Sequence, residues 1–150
     1  HNFLGIDENG KASIVQTKGN KNCHIILRGS TEKPNYYIED IIETTFSMHK
    51  RNILPNIMID CSHGNSQKNH KNQSKIIKYL SDIIKSGKYL IFGIMIESNI
   101  KEGNQKLVKK ELLEYGKSIT DACLDFEESI LNLKILSDSI KYKRIKLLRI

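Results

Sequence analysis

The chain has no tryptophan, only two prolines and three cysteines, and few aromatic residues among its 150. Cys23, Cys61 and Cys123 lie far apart with no C-x-x-C pair. An odd, sparse set of thiols excludes a disulfide framework and fits reduced cysteines in a cytoplasmic protein. Long apolar runs are missing too. The longest, around Leu90 to Ile96, falls far short of the roughly 20 residues of a membrane span. No charged segment leads from His1 into an apolar stretch, so no secretory leader is expected. The absence of a starting methionine points to an incomplete chain.

What is present is a globular balance, 39% hydrophobic and 27% charged residues. The net charge of +7 raises a nucleic-acid reading, yet the lysines are spread along the chain rather than gathered in one stripe. Basic residues cluster only in the tail from Lys141 to Arg149. There Ile140, Ile145 and Leu148 fit a terminal helix with a basic outer face. Neither a nucleic-acid nor a membrane partner is expected.

Hydrophobic patterning gives the organisation. Phe3 to Ile6 and Ser13 to Thr17 read as two strands of a hairpin, with Asn9-Gly10 suited to a turn of positive φ. Cys23 to Leu27, Ile57 to Asp60 and Tyr89 to Ile96 are compact apolar strands. Between them, Asn35 can cap a helix bearing Ile38, Ile41, Ile42, Thr45 and Phe46. Ser66 can cap a second with Ile76, Ile77, Leu80, Ile83 and Ile84 on one face, and Gly87 stops it. A polar loop from Ser98 to about Lys117 precedes the last helix. Strands alternating with amphipathic helices predict parallel β/α units in one domain spanning residues 1–150. Three parallel strands alone would leave two open edges, so more strands are expected upstream.

Polar residues collect at the C-terminal ends of the strands. The first ends in Arg28-Gly29, the second in His63-Gly64-Asn65-Ser66, the third in Glu97-Ser98-Asn99. In a (β/α)₈ barrel the active site is built on that rim. Strand alternation groups His24, Ile26 and Arg28; Ile57, Ile59, Cys61 and His63; and Ile91, Gly93, Met95 and Glu97 on one face each. An arginine fork suits phosphate or carboxylate, and imidazole with carboxylate suits a divalent first-row metal. Any one of these residues alone is ordinarily a structural or solvated group. Three successive strands ending this way point to a site.

Four segments carry a resemblance. They are Cys23 to Gly29, Met58 to Ser66, Gly93 to Asn99 with Glu102-Gly103-Asn104-Gln105, and Tyr115 to Cys123. In order and spacing they resemble the class I 3-deoxy-D-arabino-heptulosonate 7-phosphate (DAHP) synthases. The resemblance implies the C-terminal part of a (β/α)₈ TIM barrel, with the hairpin inserted near its start. It implies a transferase that joins phosphoenolpyruvate to erythrose 4-phosphate and releases phosphate, at the entry to aromatic amino-acid biosynthesis. His63, Glu97 and Asp121 would be ligands of one divalent metal ion such as Mn or Fe. Arg28 would hold phosphoenolpyruvate, and Asp121 would also lie near the aldehyde.

The family's fourth metal ligand is a cysteine on an earlier strand that this chain does not include. Cys61 is read as packing instead. Its further lysines and arginines for the two phosphates also lie upstream, so the segment alone is expected to be inactive. The hairpin lies in the effector region of such enzymes. Ser66 to His70 and Gln105 to Val108 lean toward the tryptophan-sensitive type, and the complete enzyme is expected to be a homo-oligomer. The rival readings are a related phosphoenolpyruvate-dependent aldose-phosphate synthase, a basic nucleic-acid-binding module and a non-catalytic remnant serving assembly.

Overall fold

The computed structural model describes residues 2–20, 22–87 and 91–148. The order is β1 (Asn2–Ile6), β2 (Ala12–Gln16), β3 (Ile25–Leu27), α1 (Ile38–His49), β4 (Ile57–Asp60), α2 (Asn72–Ser86), β5 (Gly93–Met95) and α3 (Phe126–Leu147).

Among the described residues, strands β1 and β2 pair only with each other, as an antiparallel hairpin with Phe3 opposite Val15. The turn is tied by Asp7, whose carboxylate accepts the N–H groups of Asn9 and Lys11, each at 2.9 Å. Those bonds hold the Asp7 carboxyl below its ordinary range, the one from Lys11 contributing most. Gly10 takes the expected positive φ of 77°.

The second sheet is parallel, in the order β3-β4-β5, with Ile26 beside Met58 and Met58 beside Gly93. Helices α1 and α2 cover one face. Ile41 and Met48 of α1 and Ile76, Ile77, Leu80 and Ile83 of α2 pack on Leu27, Ile57, Ile59 and Cys61. Each fully buried aliphatic side chain contributes about 1.5–3 kcal/mol. Helix α3 lies against α2, joined by a hydrogen bond from Asn132 Nδ2 to Ser74 Oγ at 2.7 Å. Among the described residues the parallel sheet is open and no barrel closes. None of their helices is long and apolar enough to cross a membrane.

Three expectations are corrected. Neither Asn35 nor Ser66 caps a helix. Asn35 Oδ1 accepts the Gly29 N–H at 2.7 Å, and α1 starts two residues past Tyr36, with the Tyr37 N–H on the Asp40 carboxylate at 3.2 Å. After Ser66 the chain passes through Gln67 and Lys68 at φ 54° and 58°, a left-handed pair that no helix accommodates, and α2 begins only at Asn72.

The third concerns β4. Ile57, Ile59 and Cys61 face the helices, so the opposite face of the sheet carries Ile26, Met58 and Gly93. His63 does not share their alternation, because β4 ends at Asp60 and His63 itself sits at φ 46°. Parity holds only while the backbone remains extended. The third strand is also shorter than the expected Tyr89 to Ile96, and residues 88–90 lie outside the described residues, as does Arg149 of the basic tail.

A candidate metal centre at the strand ends

The loops after β3 and β4 are pressed together backbone to backbone. A Cβ on Gly29 would lie 2.6 Å from the Asn65 nitrogen, and one on Gly64 would lie 2.5 Å from the Ser30 oxygen. Only glycine fits there. Buried Asn65 stitches the two strand ends. Its Nδ2 donates to the carbonyls of Leu27 at 3.0 Å and Asp60 at 2.7 Å, and its Oδ1 accepts the Asn35 N–H at 2.8 Å.

The tight turn after Asp60 brings His63 back over the end of the sheet. Asp60 is buried, and both carboxylate oxygens are engaged: Oδ1 accepts the Ser62 N–H and Oδ2 lies 2.7 Å from His63 Nδ1. Asp60 Oδ2 is placed to accept a hydrogen bond from Nδ1, the tautomer that leaves Nε2 as a lone-pair donor. That atom lies 3.6 Å from Glu97 Oε1 and 3.9 Å from Asp121 Oδ2. One ligand atom from each of His63, Glu97 and Asp121 lies within 4.8 Å of the others.

Glu97 follows β5, and its second oxygen accepts the Ser62 hydroxyl at 2.7 Å. Asp121 arrives on a loop laid across the strand end. The N–H of Leu124 donates to the Glu97 carbonyl at 3.0 Å, and Gly103 pairs with Cys123. The two strand-end residues are mostly shielded, whereas the Asp121 side chain is 67% exposed.

These groups open on a cleft of about 790 Å³ that Arg28, Lys33, Lys68 and His70 also line. Arg28 is exposed, with its side chain on the same cleft as the cluster. On the cleft's edge the Glu102 Oε1 takes His70 Nε2 at 2.8 Å and Lys71 Nζ at 2.9 Å. The hydrogen bond from His70, followed by that from Lys71, holds the Glu102 carboxyl below its ordinary value.

The cluster's chemistry suits a divalent cation: one neutral imidazole nitrogen and two carboxylates, each with an oxygen turned inward. Cys61 stands apart from it, fully buried in the helix-side core, where burial, then the charge of Asp60, pushes its thiol well above the usual range.

A family model described as the DAHP synthetase I family matches residues 1–133. The chain belongs to the DAHP synthetase I family. It is 44% identical over 148 residues to a tyrosine-inhibited phospho-2-dehydro-3-deoxyheptonate aldolase of Schizosaccharomyces pombe, covering 96% of this chain and 40% of that protein. It is 43% identical to a Trp-sensitive aldolase of Escherichia coli, covering 86% of this chain and 37% of that one. A solved phospho-2-dehydro-3-deoxyheptonate aldolase from Francisella tularensis superposes with a TM-score of 0.81 at 42% identity, over 95% of this chain and 41% of that one. The chain therefore spans about two-fifths of the length of these DAHP synthetase I relatives.

All four site residues named from the sequence line the cleft, and His63, Glu97 and Asp121 converge. Sequence reasoning missed Asp60, which holds His63, and Ser62 and Gln73, which hold Glu97. The signals were available: a carboxylate three residues before the histidine, and a glutamine on the apolar stripe of α2 at the spacing of Ile76, Ile77 and Leu80.

Proposed function

We propose that this chain forms the C-terminal part of a (β/α)₈ barrel and carries the metal-binding rim of a DAHP synthase. The complete protein condenses phosphoenolpyruvate with erythrose 4-phosphate, releasing phosphate, as the first step toward aromatic amino acids. The observation that carries this reading is the meeting of His63, Glu97 and Asp121 on the cleft that Arg28 lines. The open, partly apolar face of the sheet supports a barrel completed by other strands.

His63 Nε2 and one oxygen each of Glu97 and Asp121 would hold the cation. When bound, a divalent metal supplies Lewis-acid polarisation of a carbonyl oxygen. The Arg28 guanidinium binds and orients the phosphate or carboxylate of phosphoenolpyruvate, with Lys33 and Lys68 adding positive charge along the cleft. Asp60 keeps the His63 proton on Nδ1, away from the reacting groups. The exposed Asp121 carboxylate is the member of the cluster best placed to face an incoming aldehyde as well.

An aromatic amino acid acts as effector through the region of the hairpin, and the wording of Ser66 to His70 and Gln105 to Val108 favours tryptophan. Relatives named for different effectors stand at nearly equal identity, so inhibition must be measured. The enzyme is a cytoplasmic homo-oligomer in this reading, in keeping with its free thiols.

The test is phosphate release by the complete protein with phosphoenolpyruvate and either erythrose 4-phosphate or arabinose 5-phosphate. Turnover with the first sugar, abolished by a chelator and restored by a divalent metal, supports the proposal. Turnover with arabinose 5-phosphate alone would move the chain to the related synthase.

A further inference from the structure

Gln73 is the anomaly of helix α2. It is fully buried on the stripe that otherwise presents Ile76, Ile77 and Leu80 to the core. A buried carboxamide is costly unless both its ends are bonded. Here both are, and both to one residue. Gln73 Oε1 accepts the Glu97 N–H at 2.8 Å, and Gln73 Nε2 donates to the Glu97 carbonyl at 3.1 Å.

Glu97 needs such a partner. The ladder between β4 and β5 stops at Asp60 and Met95, with one further bond from the Cys61 N–H to the Met95 carbonyl at 2.9 Å. Two residues later the backbone has left the sheet, yet its carboxylate must stand at a fixed distance from His63. The side chain of Gln73 continues the ladder in place of a strand, pairing with the Glu97 backbone in both directions. Ser62 then fixes the carboxylate itself through Oε2. Together they leave Oε1 facing His63 Nε2.

We infer that Gln73 is a positioning residue for the metal site, acting through the backbone of Glu97 rather than by touching the cation. This rests on the reading of His63, Glu97 and Asp121 as ligands. Outer partners of metal ligands are typically worth about 10–100-fold in metal affinity. Gln73 belongs in that range because it controls where one carboxylate stands.

The experiment measures Mn²⁺ affinity and the electron paramagnetic resonance spectrum of bound Mn²⁺ in the complete protein, at a temperature where every variant is folded. Gln73→Met keeps the volume and loses both bonds; Gln73→Glu keeps the acceptor for the Glu97 N–H. Ile77→Val, on the same buried stripe, controls for lost packing, and His63→Ala reports on the site itself. The expected result is about tenfold or greater weakening in Gln73→Met with a changed spectrum, a smaller loss in Gln73→Glu and no loss in Ile77→Val. Gln73→Met within twofold of the parent, while His63→Ala abolishes binding, would overturn the inference and leave the site reading intact. Equal losses in Gln73→Met and Ile77→Val would also overturn it. Full affinity in His63→Ala would sink the site reading and this inference with it.

Discussion

His63 and Glu97 differ from Asp121 in how they are held, although all three reach one point. Behind His63 stands a buried Asp60, and behind Glu97 stand Ser62 and Gln73; each contact is a hydrogen bond inside the protein. The Asp121 side chain is two-thirds exposed, and its loop is held by Leu124 on Glu97, Cys123 on Gly103 and the Asn104 side chain on the Thr120 carbonyl. Part of the centre is therefore set by the sheet and helix α2, and part by a strap laid across it. The strand-end pair is fixed by hydrogen bonds to its side chains or backbone from Asp60, Ser62 and Gln73, whereas the Asp121 carboxylate is the exposed member.

Substitution should separate the two halves most sharply at the three proposed ligands. His63→Ala is expected to weaken Mn²⁺ binding by more than the roughly 100-fold that outer partners reach, measured by titration of the complete protein. Retained affinity would remove His63 from the site. Asp60→Asn should follow with about 10–100-fold, since the amide no longer fixes the Nδ1 proton. For Asp121→Asn the melting temperature should stay within a degree or two of the parent, because no buried partner is lost, while turnover falls. A large drop in melting temperature there would show that the strap is as integral as the strand ends.

Packing beneath the site gives a second contrast. Ile59→Ala should cost about 2–5 kcal/mol in denaturant unfolding, the usual range for a buried aliphatic truncation. Cys61, in the same cluster, should resist thiol reagents in the folded protein and react after denaturation, because burial disfavours its thiolate. Rapid labelling of native Cys61 would contradict its place in the core.

The smallest effect belongs to the exposed edge of the cleft. Glu102 has a carboxyl pKa below its ordinary value of 4.5 when folded, so its stabilising contribution is present above that value. It is lost as pH falls through the depressed folded pKa. Glu102→Gln should therefore lower stability slightly at neutral pH, leave it unchanged at low pH, and so flatten the acid side of the profile. An unaltered acid limb would mean that His70 and Lys71 do not hold Glu102 in solution.

Much of this was legible in the sequence, for physical reasons that also mark where legibility ends. Apolar patterning reports burial, so β4 and the stripe of α2 could be read directly, whereas the exposed hairpin was legible from its Asn9-Gly10 turn between two strand-like runs. Arg28, His63 and Glu97 stood out because polar groups closed three apolar runs in succession, whereas Asp121 was named only through the family resemblance. Face assignment across the β4 loop failed, since alternation carries no information once a residue such as His63 turns to positive φ. The caps at Asn35 and Ser66 were misplaced because both side chains serve loop backbones instead. Asp60 and Gln73 were passed over as strand and helix filler, because pattern alone does not reveal which distant backbone a buried polar group meets.

The most direct measurement is an anomalous-scattering map of the complete protein soaked in Mn²⁺. One peak bonded to His63 Nε2 and to oxygens of both Glu97 and Asp121 is the predicted result. A peak elsewhere, or one that any of these three side chains fails to reach, would contradict the account.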